Sequence, residues 1–357
     1  MHLEDLGFDE PFKSAFEALS EPNCSPARVS AQHRAGHYRL LTAHGPCEAV
    51  LAGRLRHAAA ALEWPVVGDW VAARLDAGSE RAVITARLPR RGLLVRKRPD
   101  RATEPQPLAA NLDLVAVVSS LNNDFEPRRI ERALAMIWEA GCQPLIVLTK
   151  LDLCPDWSEQ RAELAPVALG VPLHAVSAHS GEGMQELTPY LAPGRTLALI
   201  GSSGVGKSTL INRWLGEERL ATSEIRAGDE RGKHTTTHRE LFVMASGVLL
   251  VDTPGMRELA LWDAEAGLES AFHDIEAFAA ECRFGDCRHA GEPGCGIDAA
   301  RRSGQLDEAR YRNYLKLKRE LAHELRRRDE RRMQEHRREL RAVFRQRARA
   351  LRSHPKR

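Results

Sequence analysis

No apolar stretch among the 357 residues approaches the ~18 needed for a helix to cross a bilayer, so a helical membrane protein is excluded and no membrane partner is expected. The opening Met1-His2-Leu3-Glu4-Asp5 is acidic and has no apolar core, so no secretory leader is expected. Evenly paired cysteines are missing as well. Seven is an odd number, and Cys24, Cys47, Cys142 and Cys154 stand alone, which argues against a disulfide framework and for a reduced, cytoplasmic protein. The chain has no internal repeat. It also has no helix-turn-helix or spaced-finger pattern, which weighs against a DNA partner. With 43% hydrophobic and 28% charged residues, the remaining reading is a globular chain of two to three domains.

The most specific segment is Gly201-Ser202-Ser203-Gly204-Val205-Gly206-Lys207-Ser208, a phosphate-binding loop. The apolar run Leu197-Ala198-Leu199-Ile200 leads into it as a strand, and Thr209-Leu210-Ile211-Asn212 continues as a helix. Glycines let consecutive N–H groups face phosphate oxygens, and the helix N-terminus adds a favourable field. Lys207 is expected to reach the β- and γ-phosphates, and the Ser208 hydroxyl to ligate Mg²⁺.

The base is chosen upstream. The strand Pro144-Leu145-Ile146-Val147-Leu148 ends in Thr149-Lys150-Leu151-Asp152. A carboxylate at Asp152 can accept two hydrogen bonds from guanine, whereas adenine offers no such donor pair. The Lys150 stem can lie over the ring. A second strand, Leu173-His174-Ala175-Val176, runs into Ser177-Ala178, whose backbone suits the guanine O6. Downstream, Gly247-Val248-Leu249-Leu250-Val251 ends in Asp252-Thr253-Pro254-Gly255; Asp252 would serve the Mg²⁺ shell and the Gly255 N–H the γ-phosphate. Between these motifs Gly232-Lys233-His234-Thr235-Thr236-Thr237 reads as a switch loop. One of its threonines would complete the Mg²⁺ shell; an edge strand is the alternative.

In an ordinary GTPase the phosphate loop comes first and the base readers last. Here the order is inverted, so a circularly permuted GTPase domain is expected, and the chain leaves it directly from the second switch.

Cys282-x₄-Cys287-x-His289-x₅-Cys295 offers three thiolates and an imidazole, a closed tetrahedral set for one structural Zn²⁺. Charge is strongly uneven. Residues 301–357 hold 21 Lys and Arg against 8 Asp and Glu, a net +13, while the rest holds 31 against 41, a net −10. An acidic body with a basic tail suits docking on a polyanion. Within that tail Leu306, Ala309, Tyr314, Leu317 and Leu321 recur at helical spacing. Short alternating segments at 37–41, 49–52, 69–72 and 82–84 suggest a small OB-like barrel. Trp64 and Trp70 serve equally well there as stacking faces for RNA or as core.

The expected architecture is multidomain: a lead-in (1–34), an N-terminal OB-like β-barrel (35–105), a central α/β circularly permuted P-loop GTPase domain (106–265), and a C-terminal zinc-binding domain with a long basic helix (266–357).

Together these motifs resemble the RsgA/YjeQ family of ribosome-associated, circularly permuted GTPases, and Ala109-Ala110-Asn111-Leu112-Asp113 matches that family's opening of the GTPase domain. The resemblance implies hydrolysis of GTP to GDP late in small-ribosomal-subunit maturation, with rRNA and the subunit as partners and the subunit as activator; separately, a monomer is expected. The chain departs from the family at Thr149, where asparagine is usual. Many GTPases follow Asp-x-x-Gly with a glutamine that orients water; here Met256 stands instead, and the resemblance points to His234 as the catalytic substitute, beside Lys207. Two other readings use the same motifs: an RNA-binding scaffold with GTP and GDP only as a switch, and a P-loop ATPase carrying an unrelated zinc module.

Overall fold

A computed structural model describes residues 2–33, 36–58, 62–75, 81–98, 101–122, 124–216, 239–252, 265–323, 325–326, 329–330 and 333. Five N-terminal strands close on themselves: β1 (Ser25–Gln32), β2 (His37–Thr42), β3 (Gly45–Leu51), β4 (Trp70–Leu75) and β5 (Arg81–Arg87). The order is β1-β2-β3-β5-β4, and β4 pairs back to β1; only β3 and β5 run parallel. Helix α2 (Gly53–Ala58) lies between the third and fourth strands. This is the OB-like barrel expected, filled by small and branched residues such as Ala27, Val29, Leu40, Val71 and Ile84.

The barrel begins earlier than sequence suggests. β1 lies within the segment read as a loose lead-in, and its polar Arg28 and Ser30 are as buried as Ala27, Val29 and Ala31. The residues before it are packed. Asp9 caps α1 (Glu10–Ala18), and Phe8 and Phe12 sit 4.7 and 6.0 Å from the Trp70 ring. Trp70 is 1% exposed, so it is core and presents no face to RNA. The arginines that follow β5 also turn partly inward. Arg90 clamps the buried Asp69 at 2.7 and 2.8 Å, and Arg91 lies 4.1 Å over Phe12. A separate hairpin, β6 (Leu93–Arg98) with β7 (Arg101–Ala110), spans the expected domain limit at residue 105.

The next six strands form a doubly wound sheet: β8 (Leu114–Ser120), β9 (Gln143–Thr149), β10 (Leu173–Ala175), β11 (Thr196–Ile200), β12 (Glu240–Val243) and β13 (Leu249–Asp252). Their order is β10-β9-β8-β11-β13-β12, all parallel except the edge strand β12. Every position of β8 and β11 is buried, as expected of central parallel strands covered on both faces. β12 meets β1 through the pair Ala31 and Glu240, so barrel and GTPase sheet are continuous.

Arg28 joins the two. It is 2% exposed and donates to the Gly68 carbonyl at 3.3 Å, the Asn111 carbonyl at 3.2 Å, the Thr196 hydroxyl at 2.7 Å and the Leu6 carbonyl. Burial pulls its pKa down to about 10, so it stays charged at neutral pH. An Arg28→Met change strands those acceptors and is expected to cost about 3–5 kcal/mol, read as a lowered denaturant midpoint. A midpoint unchanged from wild type would refute the clamp.

The C-terminal region packs on α3 (Pro127–Glu139). It comprises α6 (Glu265–Ala271), α7 (His273–Ala280), α8 (Gly296–Ser303) and α9 (308–323), numbered after α4 (Ser158–Leu164) and α5 (Lys207–Leu215). Leu306, Tyr314, Leu317 and Leu321 are buried as the helical spacing requires, but Ala309 is exposed. Arg310 takes the inward position instead, 5% exposed, bonded to Asp274 at 2.7 and 3.0 Å and to Glu131 of α3. Asn313 also donates to Glu131, and Arg132 meets Glu320 through two bonds of 2.9 and 2.8 Å. Burial pushes the Glu131 carboxyl up, opposed by Arg310 and Asn313.

Candidate active site and metal centre

All parallel strands of the GTPase sheet end on one edge, where ligands of doubly wound folds bind. There β11 passes into the phosphate-binding loop and α5. Gly201 has φ +153°, and a Cβ on it would lie 2.1 Å from the Val118 carbonyl of β8, so no other residue fits. Gly206 has φ +94° and forms the N-cap of α5. The loop thus wraps as its glycines require, leaving Ser203 and Gly204 exposed and Ser208 and Lys207 half-buried on the first turn of α5, with Thr209 exposed beside them. Lys207 Nζ donates to the Gly201 and Ser202 carbonyls at 2.8 and 2.5 Å, which aims the ammonium across the mouth of the loop.

The base-reading motif ends β9, two strands away. Thr149 is 2% exposed, and its hydroxyl donates to the Val205 carbonyl at 2.5 Å and lies 3.3 Å from the Ser119 carbonyl. Its hydroxyl is therefore placed against the phosphate loop. The threonine hydroxyl thus links the end of β9 to β8 and to the loop. Lys150 then adopts the left-handed conformation, φ +64°, and turns the chain into a 3₁₀ turn over Leu151–Leu153. A lysine held at positive φ is strained, and such strain gathers at functional sites. Asp152 is exposed and accepts a hydrogen bond from the fully buried Ser177 hydroxyl. Ala178 follows, half-buried, so the two base motifs meet although 25 residues separate Asp152 and Ser177.

Asp252 closes β13, which pairs in register with β11 from Leu249 opposite Thr196 to Val251 opposite Ala198. The backbone thus brings it to the phosphate-loop edge. His234, Thr235, Thr236, Gly255 and Met256 lie outside the described residues.

Sequence reasoning missed Arg129. It sits on the first turn of α3 and donates to the Ser202 hydroxyl and, at 2.8 Å, to Asp124. No motif marks it, since its partner in the loop is 73 residues away.

The ligand atoms of Cys282, Cys287, His289 and Cys295 lie within 4.8 Å of one another. His289 Nδ1 is 3.5 Å from both the Cys282 and Cys295 sulfurs, and those sulfurs are 4.0 Å apart. Tetrahedral Zn²⁺ with bonds of about 2.0 to 2.3 Å separates its ligands by roughly 3.5–3.8 Å, so the four residues fit the ion. The backbone supports the same charge. Gly296 N–H donates to Cys282 Sγ at 3.3 Å and Asp298 N–H to Cys295 Sγ at 3.4 Å, as thiolates require. Glu292, unnoticed in the sequence, shapes the loop by accepting from the Ala290 and Arg288 N–H groups at 2.7 and 3.1 Å.

A phosphate loop preceded in sequence by its base readers, on one edge of a doubly wound sheet, defines a circularly permuted P-loop GTPase. Solved structures have the same fold: YjeQ from Thermotoga maritima is 30% identical with a TM-score of 0.61, covering 84% of this chain and 99% of that one. YloQ, described as a circularly permuted GTPase, is 22% identical at TM-score 0.60 over 85% of this chain and 96% of its own, a likeness of fold. Residues 87–262 match the RsgA GTPase family. The chain is 47% identical over 331 residues to the small ribosomal subunit biogenesis GTPase RsgA of Syntrophotalea carbinolica, covering 90% of each. It is 44% identical over 339 residues to the RsgA of Opitutus terrae, covering 92% of each. The chain belongs to the RsgA family of GTPases. No helix among the described residues is long and apolar enough to cross a membrane.

Proposed function

We propose that this chain hydrolyses GTP to GDP and phosphate during late maturation of the small ribosomal subunit, bound to its rRNA and stimulated by it, as a cytoplasmic monomer. The observation that carries the reading is the meeting of Asp152 and Ser177 on the same sheet edge as the loop 201–208, with Thr149 tying one to the other. Asp152 reads the guanine N1–H and amine, with Lys150 over the ring and the Ser177-Ala178 backbone at O6. Gly201, Ser202, Ser203, Gly204, Val205, Gly206 and Thr209 cradle the phosphates with Lys207. Ser208 and Asp252, with Thr235 or Thr236, would hold Mg²⁺, which when bound neutralises charge on the β- and γ-phosphate oxygens. The Gly255 N–H faces the γ-phosphate. The names of the close relatives supply the subunit, and the net +13 of residues 301–357 supplies a phosphate-binding tail. One Zn²⁺ on Cys282, Cys287, His289 and Cys295 holds the C-terminal domain together.

Because Met256 has no side-chain amide, intrinsic turnover is slow, and His234 orients the attacking water when the subunit is bound. GTP turnover measured with and without isolated small subunits tests this. Stimulation of about 10²-fold or more is expected for wild type, and its collapse in His234→Ala. No stimulation of wild type would favour the scaffold reading. Full stimulation of His234→Ala would remove the histidine from the mechanism.

A further inference from the structure

Lys207 is only as well aimed as the carbonyls that hold it. One of these belongs to Ser202, and Ser202 is itself held from outside the loop. Arg129 Nη1 donates to its hydroxyl, and the same nitrogen donates to Asp124 Oδ1 at 2.8 Å. The contacts run Asp124–Arg129–Ser202–Lys207 and end on the ammonium that faces phosphate.

We propose that Arg129 is a positioning residue for GTP hydrolysis, fixing Ser202 and, through the Ser202 carbonyl, the direction of the Lys207 ammonium. The proposal rests on the reading of residues 201–208 as a triphosphate cradle.

Three considerations point the same way. A lysine ammonium rides on a flexible stem carrying about 2 kcal/mol of rotamer entropy, so an unheld Lys207 would lose that freedom again in each transition state. Stabilisation of developing charge depends on groups already in place, and a misplacement of about 1 Å can cost 10²-fold in rate. The Arg129–Asp124 pair is about half and one-third exposed, so it contributes little to stability; its distinctive contact is the loop. The helix carrying Arg129 is braced from its other side. Glu131 and Arg132, two and three residues on, hold Arg310, Asn313 and Glu320 of the C-terminal domain. The seat of that domain and the grip on Ser202 thus share one helical turn.

The test is GTP turnover and GDP affinity of the full chain as wild type, Arg129→Ala, Ser202→Ala, the double variant and Asp124→Ala. Arg129→Ala and Ser202→Ala should each lower kcat by about 10- to 100-fold, with KM and GDP affinity changed less than about threefold. The double variant should be no slower than the worse single one, because both remove the same link. Asp124→Ala should show a smaller loss in the same direction. Wild-type kcat in Arg129→Ala, or losses that multiply in the double variant, would overturn the proposal. If Arg129→Ala melts early, Ser202→Ala, which removes only a hydroxyl, decides alone: kcat within twofold of wild type would overturn it. A wild-type chain that does not hydrolyse GTP would instead sink the reading of the cradle.

Discussion

Replacing Lys207 by alanine is expected to lower GTP turnover by about 10²–10³-fold while leaving the thermal midpoint almost unchanged. The ammonium is half-buried and bonded to two carbonyls of its own loop, Gly201 and Ser202, both of which can turn to water when it is gone. The fold around it is set by other contacts: the strand it follows is held by β8 and β13, and the loop's bend is set by Gly201 against Val118. Its effect therefore falls on phosphate charge, as expected of a positioned cation. Phosphate release at saturating GTP is the measurement. Turnover within threefold of wild type would mean that the loop does not hold a reacting triphosphate.

Removing zinc is expected to have the other large effect, and on a different property. Cys295 is both a proposed zinc ligand and the N-cap of α8, with Ile297 and Ala300 behind it in the core that Phe272, Leu306 and Tyr314 complete. Structural zinc contributes about 10–16 kcal/mol to folding of small finger domains at pH 7. A Cys282→Ser change, or strong chelation, should therefore release α7, α8 and the zinc loop to rapid amide exchange while β8, β9 and β11 stay protected. The purified chain should carry one zinc per molecule by elemental analysis. A metal-free chain whose 273–303 amides remain protected would contradict the assignment of these four residues.

Local motifs were legible because their physics is local. The loop 201–208, the Cys282–Cys295 cluster and the alternating strands of the barrel each declare themselves within about a dozen residues, and the permuted order followed from comparing their positions. What stayed hidden depends on distant partners. β1 carries a buried arginine, Arg28, whose burial makes sense only beside Thr196, 168 residues away. Arg310 broke the helical stripe for the same reason, since Glu131 lies 179 residues upstream. Trp70 could be assigned to core only once Phe8 and Phe12 were seen against it. Thr149 shows the limit within a motif: the sequence placed it at the base-reading edge, and its hydroxyl turns toward Val205.

Asp152, Ser177 and the loop 201–208 share one sheet edge, proposed to hold both a purine and its phosphates. Calorimetric titration of the nucleotide-free chain with GTP and with ATP, in Mg²⁺, examines that directly. A carboxylate placed for two guanine donors should favour GTP by at least about 10²-fold, and Asp152→Ala should erase most of the difference. Equal affinity for both nucleotides in the wild-type chain, or measurable binding of neither, would contradict it.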